Sequence, residues 1–236
     1  GANLTNANLS NANLSNAELY RVIFSKANLS KVVFADTSLF NSSLRNTTLT
    51  GADFARADLF QADMSNSKIN NADFSSANLV RANFSGSDLT EADFYKAILI
   101  GANLYSAVLV KADFGEADAR ESNLSDANLT SANLYHAKFD KSDFSNARLI
   151  RAVLNRADLD GAQFINADLT GADLTDASFS GTNFNGAVLK GASFTRAQFY
   201  NADMSNVSFA DATLQDVNFS NADLSKADFS RSKLIN

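Results

Sequence analysis

The chain has 236 residues, 45% of them hydrophobic, with 20 basic side chains, 26 acidic ones and one histidine, for a formal charge of −6 at pH 7. Cysteine is absent, which excludes a disulfide framework, a thiolate metal site and a cysteine nucleophile, and no apolar run approaches the ~18 residues of a membrane span. Charges of both signs are interspersed, with 4 bases and 2 acids over residues 1–50 and a mildly acidic remainder, so there is no polybasic track for direct binding of nucleic acid or anionic lipid.

From residue 4 to residue 234 every fifth residue is Leu, Phe, Met or Ile, with Ala119 the single exception. The chain divides without insertion into 47 pentapeptides, from Gly1-Ala2-Asn3-Leu4-Thr5 to Arg231-Ser232-Lys233-Leu234-Ile235, with Asn236 left over. An unbroken repeat has no linker and no composition shift, which predicts a single domain over residues 1–236. It starts in mid-pattern without an initiator methionine, and the expectation is a segment excised from a longer chain. No charged-then-apolar signal peptide is present; the expectation is a soluble protein, with the cytoplasm the favoured compartment.

Within a block the second residue is mostly Ala and the fourth large and apolar, while the first, third and fifth are mostly polar. Second and fourth residues point the same way in a short extended segment. A continuous strand is excluded, because five is odd and each repeat would flip its apolar residue to the opposite face. An α-helix is excluded as well, since at ~100° per residue a five-residue step smears the apolar positions around the cylinder. The chain must bend once per block, at the polar pair formed by the fifth and first residues, where Ser, Thr, Asn, Asp and Gly collect. Phenylalanine reports the number of sides: fourth-position Phe pairs occur nine times at a spacing of 20, against four each at 15 and 25 and seven at 10. The longest ladder is Phe34, Phe54, Phe74, Phe94 and Phe114. Four sides per coil predict about 12 coils of 20 residues and a rod ~55–60 Å long at ~4.8 Å per rung.

Blocks such as Ala52-Asp53-Phe54, Ala72-Asp73-Phe74, Ala102-Asn103-Leu104 and Ala172-Asp173-Leu174 resemble the A-[DN]-[LF]-x-x repeats of the pentapeptide-repeat family, along the entire chain. The resemblance implies an all-β, right-handed quadrilateral β-helix, with the fourth residue central and the second the smaller inward residue. It implies little about activity. The best-known members, the quinolone-resistance proteins and their mycobacterial counterpart, look like DNA and bind type II topoisomerase, typically with a C-terminal dimerising helix and in some cases with loops that interrupt the coil. This sequence has neither feature.

Stacking residues twenty apart exposes the outward columns in chain order. The first is Tyr20, Phe40, Phe60, Val80 and Ile100, apolar where other columns hold Ser, Thr and Asn, and ending at Arg120, Asp140 and Asp160. At ~4.8 Å per rung it predicts an apolar ridge about 20 Å long, the kind of contiguous patch that marks a protein contact. Next comes an acidic ladder, Asp53, Asp73, Asp93 and Asp113, each preceding a Phe of the long ladder. Carboxylates at that spacing repel unless they bond to backbone donors, sit in water or share a cation. Their family-wide preference is the plain account; recognition by a basic partner is the functional one. Calcium is disfavoured, because the Gly-rich nonapeptide of calcium solenoids is missing. A column of Thr50, Asn70, Thr90, Val110, Thr130, Ile150 and Thr170 is too interrupted for the paired threonine array of an ice-binding face.

Ala119, in Glu116-Ala117-Asp118-Ala119-Arg120, lies between Leu99 and Phe139 in its inner column and predicts a local packing deficit partly filled by Phe139. The lone His136 falls at an outward first position, where one imidazole lacks the converging partners of a catalytic or metal site. All ten Gly residues occupy first or fifth positions, serving turns and forming no phosphate loop. The first and last coils are as regular as the middle, with no Pro and no capping helix, so end-to-end or side self-association is expected. The reading is a non-catalytic rigid scaffold or protein-interaction rod without cofactor or metal, with an unidentified protein partner on the ridge. The alternative is a DNA-mimicking modulator of a type II topoisomerase (gyrase) that uses the acidic ladder.

Overall fold

The computed structural model describes residues 1–235 and bends the chain once per pentapeptide, at the fifth and first positions. Most bends close with a hydrogen bond from the N–H of the second residue to the carbonyl of the preceding fourth residue, as from Ala7 to Leu4 and from Ala92 to Leu89, both 3.0 Å. At Thr47 and Ser67 a hydroxyl in the next coil takes over: the Thr47 N–H donates to Ser67 Oγ (3.0 Å) and the Ser67 N–H to Ser87 Oγ (3.1 Å). Those buried hydroxyls donate in turn to fourth-position carbonyls, Ser67 Oγ to Leu44 O at 2.9 Å and Ser87 Oγ to Met64 O at 2.7 Å. At these positions a small polar residue replaces inward Ala with its hydroxyl satisfied, whereas the buried Ser42 hydroxyl finds no partner.

The first residue of each block has positive φ, from Asn6 at 60° to Arg231 at 54°. Gly and Asn enter this left-handed region readily, yet Arg21, Lys31, Glu91 and Arg156 hold it too, at 56° to 58°. An L side chain in that region costs on the order of 1 kcal/mol. Stacking overrides the local preference, because the N–H of each such residue donates to a fifth-position carbonyl one coil on, as from Arg21 to Phe40 at 2.9 Å and from Lys96 to Gly115 at 3.0 Å.

Third-position residues bridge in parallel to residues twenty further on, from Asn3 with Ile23 to Ser208 with Asp228. That spacing makes every coil four-sided. Among the described residues only the last pair is long enough to count as strands, β1 (Thr213–Gln215) and β2 (Lys233–Ile235), parallel with Leu214 opposite Leu234. Each coil donates from its fourth and first residues to the next, and accepts back at its second: Leu29 N–H to Thr48 O (2.7 Å), Lys31 N–H to Thr50 O (3.0 Å), Thr48 N–H to Ala27 O (3.1 Å). Among the described residues no helix is long and apolar enough to cross a membrane.

Second- and fourth-position side chains fill the interior. Phe34, Phe54, Phe74, Phe94 and Phe114 stack with centroids 4.7–5.1 Å apart and planes within 16° of parallel. Equal residues on successive rungs are forced into this offset stack by the rung spacing, and each ring pair adds ~0.5–1.5 kcal/mol beyond its burial. In the terminal coils the same positions, Leu4, Leu9, Leu224 and Phe229 among them, are only partly covered.

Ala119 is fully buried, and the ring of Phe139 meets Phe114 edge-on at 5.6 Å, a contact that reaches back one coil across the Ala119 side. Phe139 therefore occupies space that a larger residue at 119 would claim. Ala119→Leu alone is expected to cost ~1–3 kcal/mol by overpacking, and Ala119→Leu with Phe139→Leu to recover most of it. A double-mutant cycle by urea unfolding checks this; additive costs would mean that the two side chains do not share the space.

Candidate protein-contact surface

The ridge residues lie outside the coil at fifth positions. Tyr20 is 56% exposed, while Phe40, Phe60, Val80 and Ile100 are half-buried. Phe40 and Phe60 stack with centroids 5.5 Å apart and planes 18° from parallel. The ridge is thus a row of corner side chains, continuous where the sequence expected it to be. Ile98, 43% exposed, stands two residues before Ile100 and widens the far end. Sequence reasoning missed this residue, although its outward third position was readable.

The acidic ladder forms as expected, with Asp53, Asp73, Asp93 and Asp113 on successive rungs. Its local purpose is plain from the hydrogen bonds. Fifth-position N–H groups take no part in the backbone ladder, and the Asn or Asp two residues before supplies the acceptor: Asp53 Oδ1 takes the Ala55 N–H (2.9 Å), Asp73 that of Ser75, Asp93 that of Tyr95 and Asp113 that of Gly115 (each 2.8 Å). This Asx contact recurs at most third positions that hold Asn or Asp, from Asn3 with the Thr5 N–H to Asp228 with the Ser230 N–H, and is missing where Val, Ile or Lys stands there. Asparagine also bonds along the ladder, as Asn78 Nδ2 does to Asp58 Oδ1 and Asn133 Nδ2 to Asp113 Oδ1, both at 2.8 Å.

Burial pushes the Asp93 carboxyl above its ordinary range, the Tyr95 N–H pulls it down, and the charges of Asp73 and Asp113 push it further up. A carboxyl raised on folding disfavours the folded state once ionised; the cost is absent at low pH, sets in as the pH passes the ordinary value, and is complete above the raised one. Asp93→Asn keeps the Oδ1 acceptor, removes the repulsion and adds an amide that can donate to Asp73 or Asp113. It is expected to stabilise the chain by ~0.5–1 kcal/mol at neutral pH, with the gain shrinking toward pH 3. Equal gain at both pH values in thermal unfolding would mean that charge is not the cause.

Corner columns are laced with ion pairs between successive coils. Arg56 binds Asp36 through two bonds of 2.8 and 2.7 Å, Arg196 binds Asp176 at 2.6 and 2.7 Å, and Lys111 meets Glu91 at 3.0 Å. The guanidinium hydrogen bonds hold the Asp36 and Asp176 carboxyls below their usual range. All are exposed and fix side chains more than they add stability.

His136 is at an exposed corner, as expected, but it is not isolated. With Glu116, Ala137, Lys138, Arg156 and Asp158 it lines a surface hollow of about 390 Å³. Tyr95 OH donates to Glu116 Oε1 (3.0 Å) and Arg156 Nη1 donates to Tyr135 OH (3.2 Å) on the flanking side. Stacking Glu116, His136 and Arg156 beside Lys138 and Asp158 would have revealed the grouping from sequence; the depth depends on side-chain directions that no column shows. Among the described residues no three His, Cys, Asp or Glu side chains are placed to hold a metal ion.

Two family models match the chain: pentapeptide repeats over residues 67–105, 107–146, 139–176, 172–209 and 202–236, and the pentapeptide repeat region over residues 2–74. HetL from the cyanobacterium Nostoc sp. strain PCC 7120, a pentapeptide repeat protein involved in heterocyst differentiation regulation, is similar in structure, at 29% identity and a TM-score of 0.57 over 94% of this chain and 88% of HetL. A trypsin-treated form of QnrB1, a plasmid-mediated fluoroquinolone resistance protein, is 21% identical over 87% of this chain and 89% of its own, with a TM-score of 0.41. No curated protein sequence matches the chain.

Proposed function

This chain is a member of the pentapeptide-repeat family, a right-handed quadrilateral β-helix, and from that premise we propose that it is a non-catalytic rigid rod that binds another protein along the side bearing Tyr20, Phe40, Phe60, Val80 and Ile100. The observation that carries the reading is the continuity of that column: five apolar side chains on successive coils at an outward position. An apolar strip held on a stiff scaffold loses little conformational entropy on binding, which favours a contact role. Phe40→Ser with Phe60→Ser is expected to leave the coil folded, at a cost of ~0.5–1.5 kcal/mol for the ring stack added to the loss of two half-buried rings, and to abolish self-association in sedimentation and capture of partners. A Thr130→Ser control on another side should change neither. Unchanged sedimentation and unchanged captured proteins would count against the contact role, and an unfolded double variant would mean that inside and outside are wrongly assigned.

The gyrase reading ranks second. Its support is the stack of four carboxylates on one side, but Arg56 and Lys96 pair with acids on the adjoining corner. A charge of −6 along the rod is about one per 10 Å, against one per ~1.7 Å in duplex DNA. The expected result in a supercoiling assay is neither inhibition of gyrase nor protection from quinolone; dose-dependent inhibition would reverse the ranking.

A further inference from the structure

The ridge does not stop at solvent. Its column runs on through Arg120 to Asp140 and Asp160, with Asp118 and Asp158 two residues before on the same side. Arg120 is committed to Asp118, through two bonds of 2.8 Å. Asp140, Asp158 and Asp160 have no ion pair among the described residues, and Asp140 Oδ2 is covered yet accepts no hydrogen bond. Asp160 Oδ1 is met only by neutral donors, Ser178 Oγ at 2.5 Å and the Ser180 N–H at 2.8 Å. Burial and the charges of Asp140 and Asp160 hold the Asp158 carboxyl above its ordinary range, against the pull of the Asp160 N–H and Lys138. The hollow beside His136 opens at this end, with Asp158 on one wall and Glu116 on another. One corner column of the rod is therefore apolar over five coils and continues, after Arg120, in the carboxylates Asp140 and Asp160, with Asp158 beside them; the basic groups on that side are Lys138, between Asp118 and Asp158, and Arg156, bonded to the Tyr135 hydroxyl.

What can lie along such a side is limited by its backbone. The coil-to-coil hydrogen bonds run along the rod axis and already use the groups that a β-strand partner would need, so an extended peptide laid on the face would leave its own N–H and C=O groups unpaired. An α-helix brings its backbone bonds with it. From rung 20 to rung 160 the side spans ~34 Å, the length of a helix of about 22 residues.

We propose that this side is the seat of an amphipathic helix of a partner protein, whose apolar stripe covers Tyr20, Phe40, Phe60, Val80 and Ile100 and whose basic half faces Asp140, Asp158 and Asp160. The inference rests on the contact reading above and names the chemistry of its partner. Charge complementarity sets the polarity of the helix: its basic half is N-terminal, because the positive end of the helix dipole then also meets the carboxylates.

The test uses synthetic helical peptides of about 22 residues, labelled for fluorescence anisotropy and added to the full chain. The first has Lys and Arg in its N-terminal half and a Leu stripe in its C-terminal half; the second has the same stripe with a neutral Gln-rich N-terminal half. The first is expected to bind at least about tenfold more tightly than the second in low salt, with the advantage fading as salt rises. Asp140→Asn with Asp160→Asn, which keeps the acceptor used by Ser180 and leaves Asp158 in place, should remove most of the difference between the peptides without lowering the melting temperature. Phe40→Ser with Phe60→Ser should weaken both. If both peptides bind equally and only the Phe variant weakens them, the helix-with-basic-half proposal falls while the ridge remains a contact surface. If neither peptide responds to the Phe variant, the ridge reading falls with it.

Discussion

Phe94→Ala is expected to destabilise the chain by ~3–5 kcal/mol, the range for deleting a fully buried aromatic ring. Phe94 is completely buried, stacked 5.1 Å from Phe74 and 4.7 Å from Phe114, and met edge-on by Phe84 at 5.9 Å. Coils are tied to one another by a hydrogen bond at every side, so they cannot close in on the void independently. Phe94→Leu should cost distinctly less, because Leu fills the equivalent place at Leu99 and Leu104. Urea unfolding measures both. Since each coil contacts only its neighbours, the Ala variant is also expected to split the transition, with the two flanking segments unfolding apart and a lower apparent m-value. A cost below ~1 kcal/mol would mean that the rungs around the site relax far more than a hydrogen-bonded ladder should.

Ser76→Pro is expected to be at least as damaging, about 3 kcal/mol or more, through the backbone alone. Ser76 has φ of 57° and its N–H donates to the Tyr95 carbonyl at 2.9 Å. Proline holds φ near −65° and has no N–H, so both the bend and the coil-to-coil bond are lost. Ser76→Gly separates the two effects: it keeps the donor and relieves the left-handed strain, and is expected to be neutral or slightly stabilising. Amide exchange locates the damage, with protection falling in the coils on either side of the bend and persisting at a distance. Uniform loss of protection along the chain would show that the rod unfolds as one unit.

Ser76 and Phe94 mark the two extremes of what could be read in advance. Phe94 was placed by counting: its ladder from Phe34 to Phe114 shares one spacing, and the stacked rings follow the rungs. The left-handed backbone at every first position was not read from the residues there, because Arg, Lys and Glu do not favour it; it follows from where the N–H must point to reach the next coil. Likewise the Asp of the acidic ladder was visible, but not its bond to the N–H two residues on, which exists because that N–H finds no place in the axial ladder.

A strict period of five with an apolar fourth and a small second residue determined the bend in every block and which side chains share the interior, and the spacing of Phe residues by twenty pointed to four sides and so to the stacked columns. Distances across columns were left to the tertiary structure. The edge contact of Phe139 with Phe114 over Ala119, the hollow around His136 and the unpartnered oxygen of Asp140 each depend on which way a side chain turns once its neighbours from other coils are in place. That choice is made by packing and by competing hydrogen bonds between residues twenty or more apart, and a repeat that treats every coil alike carries no record of it.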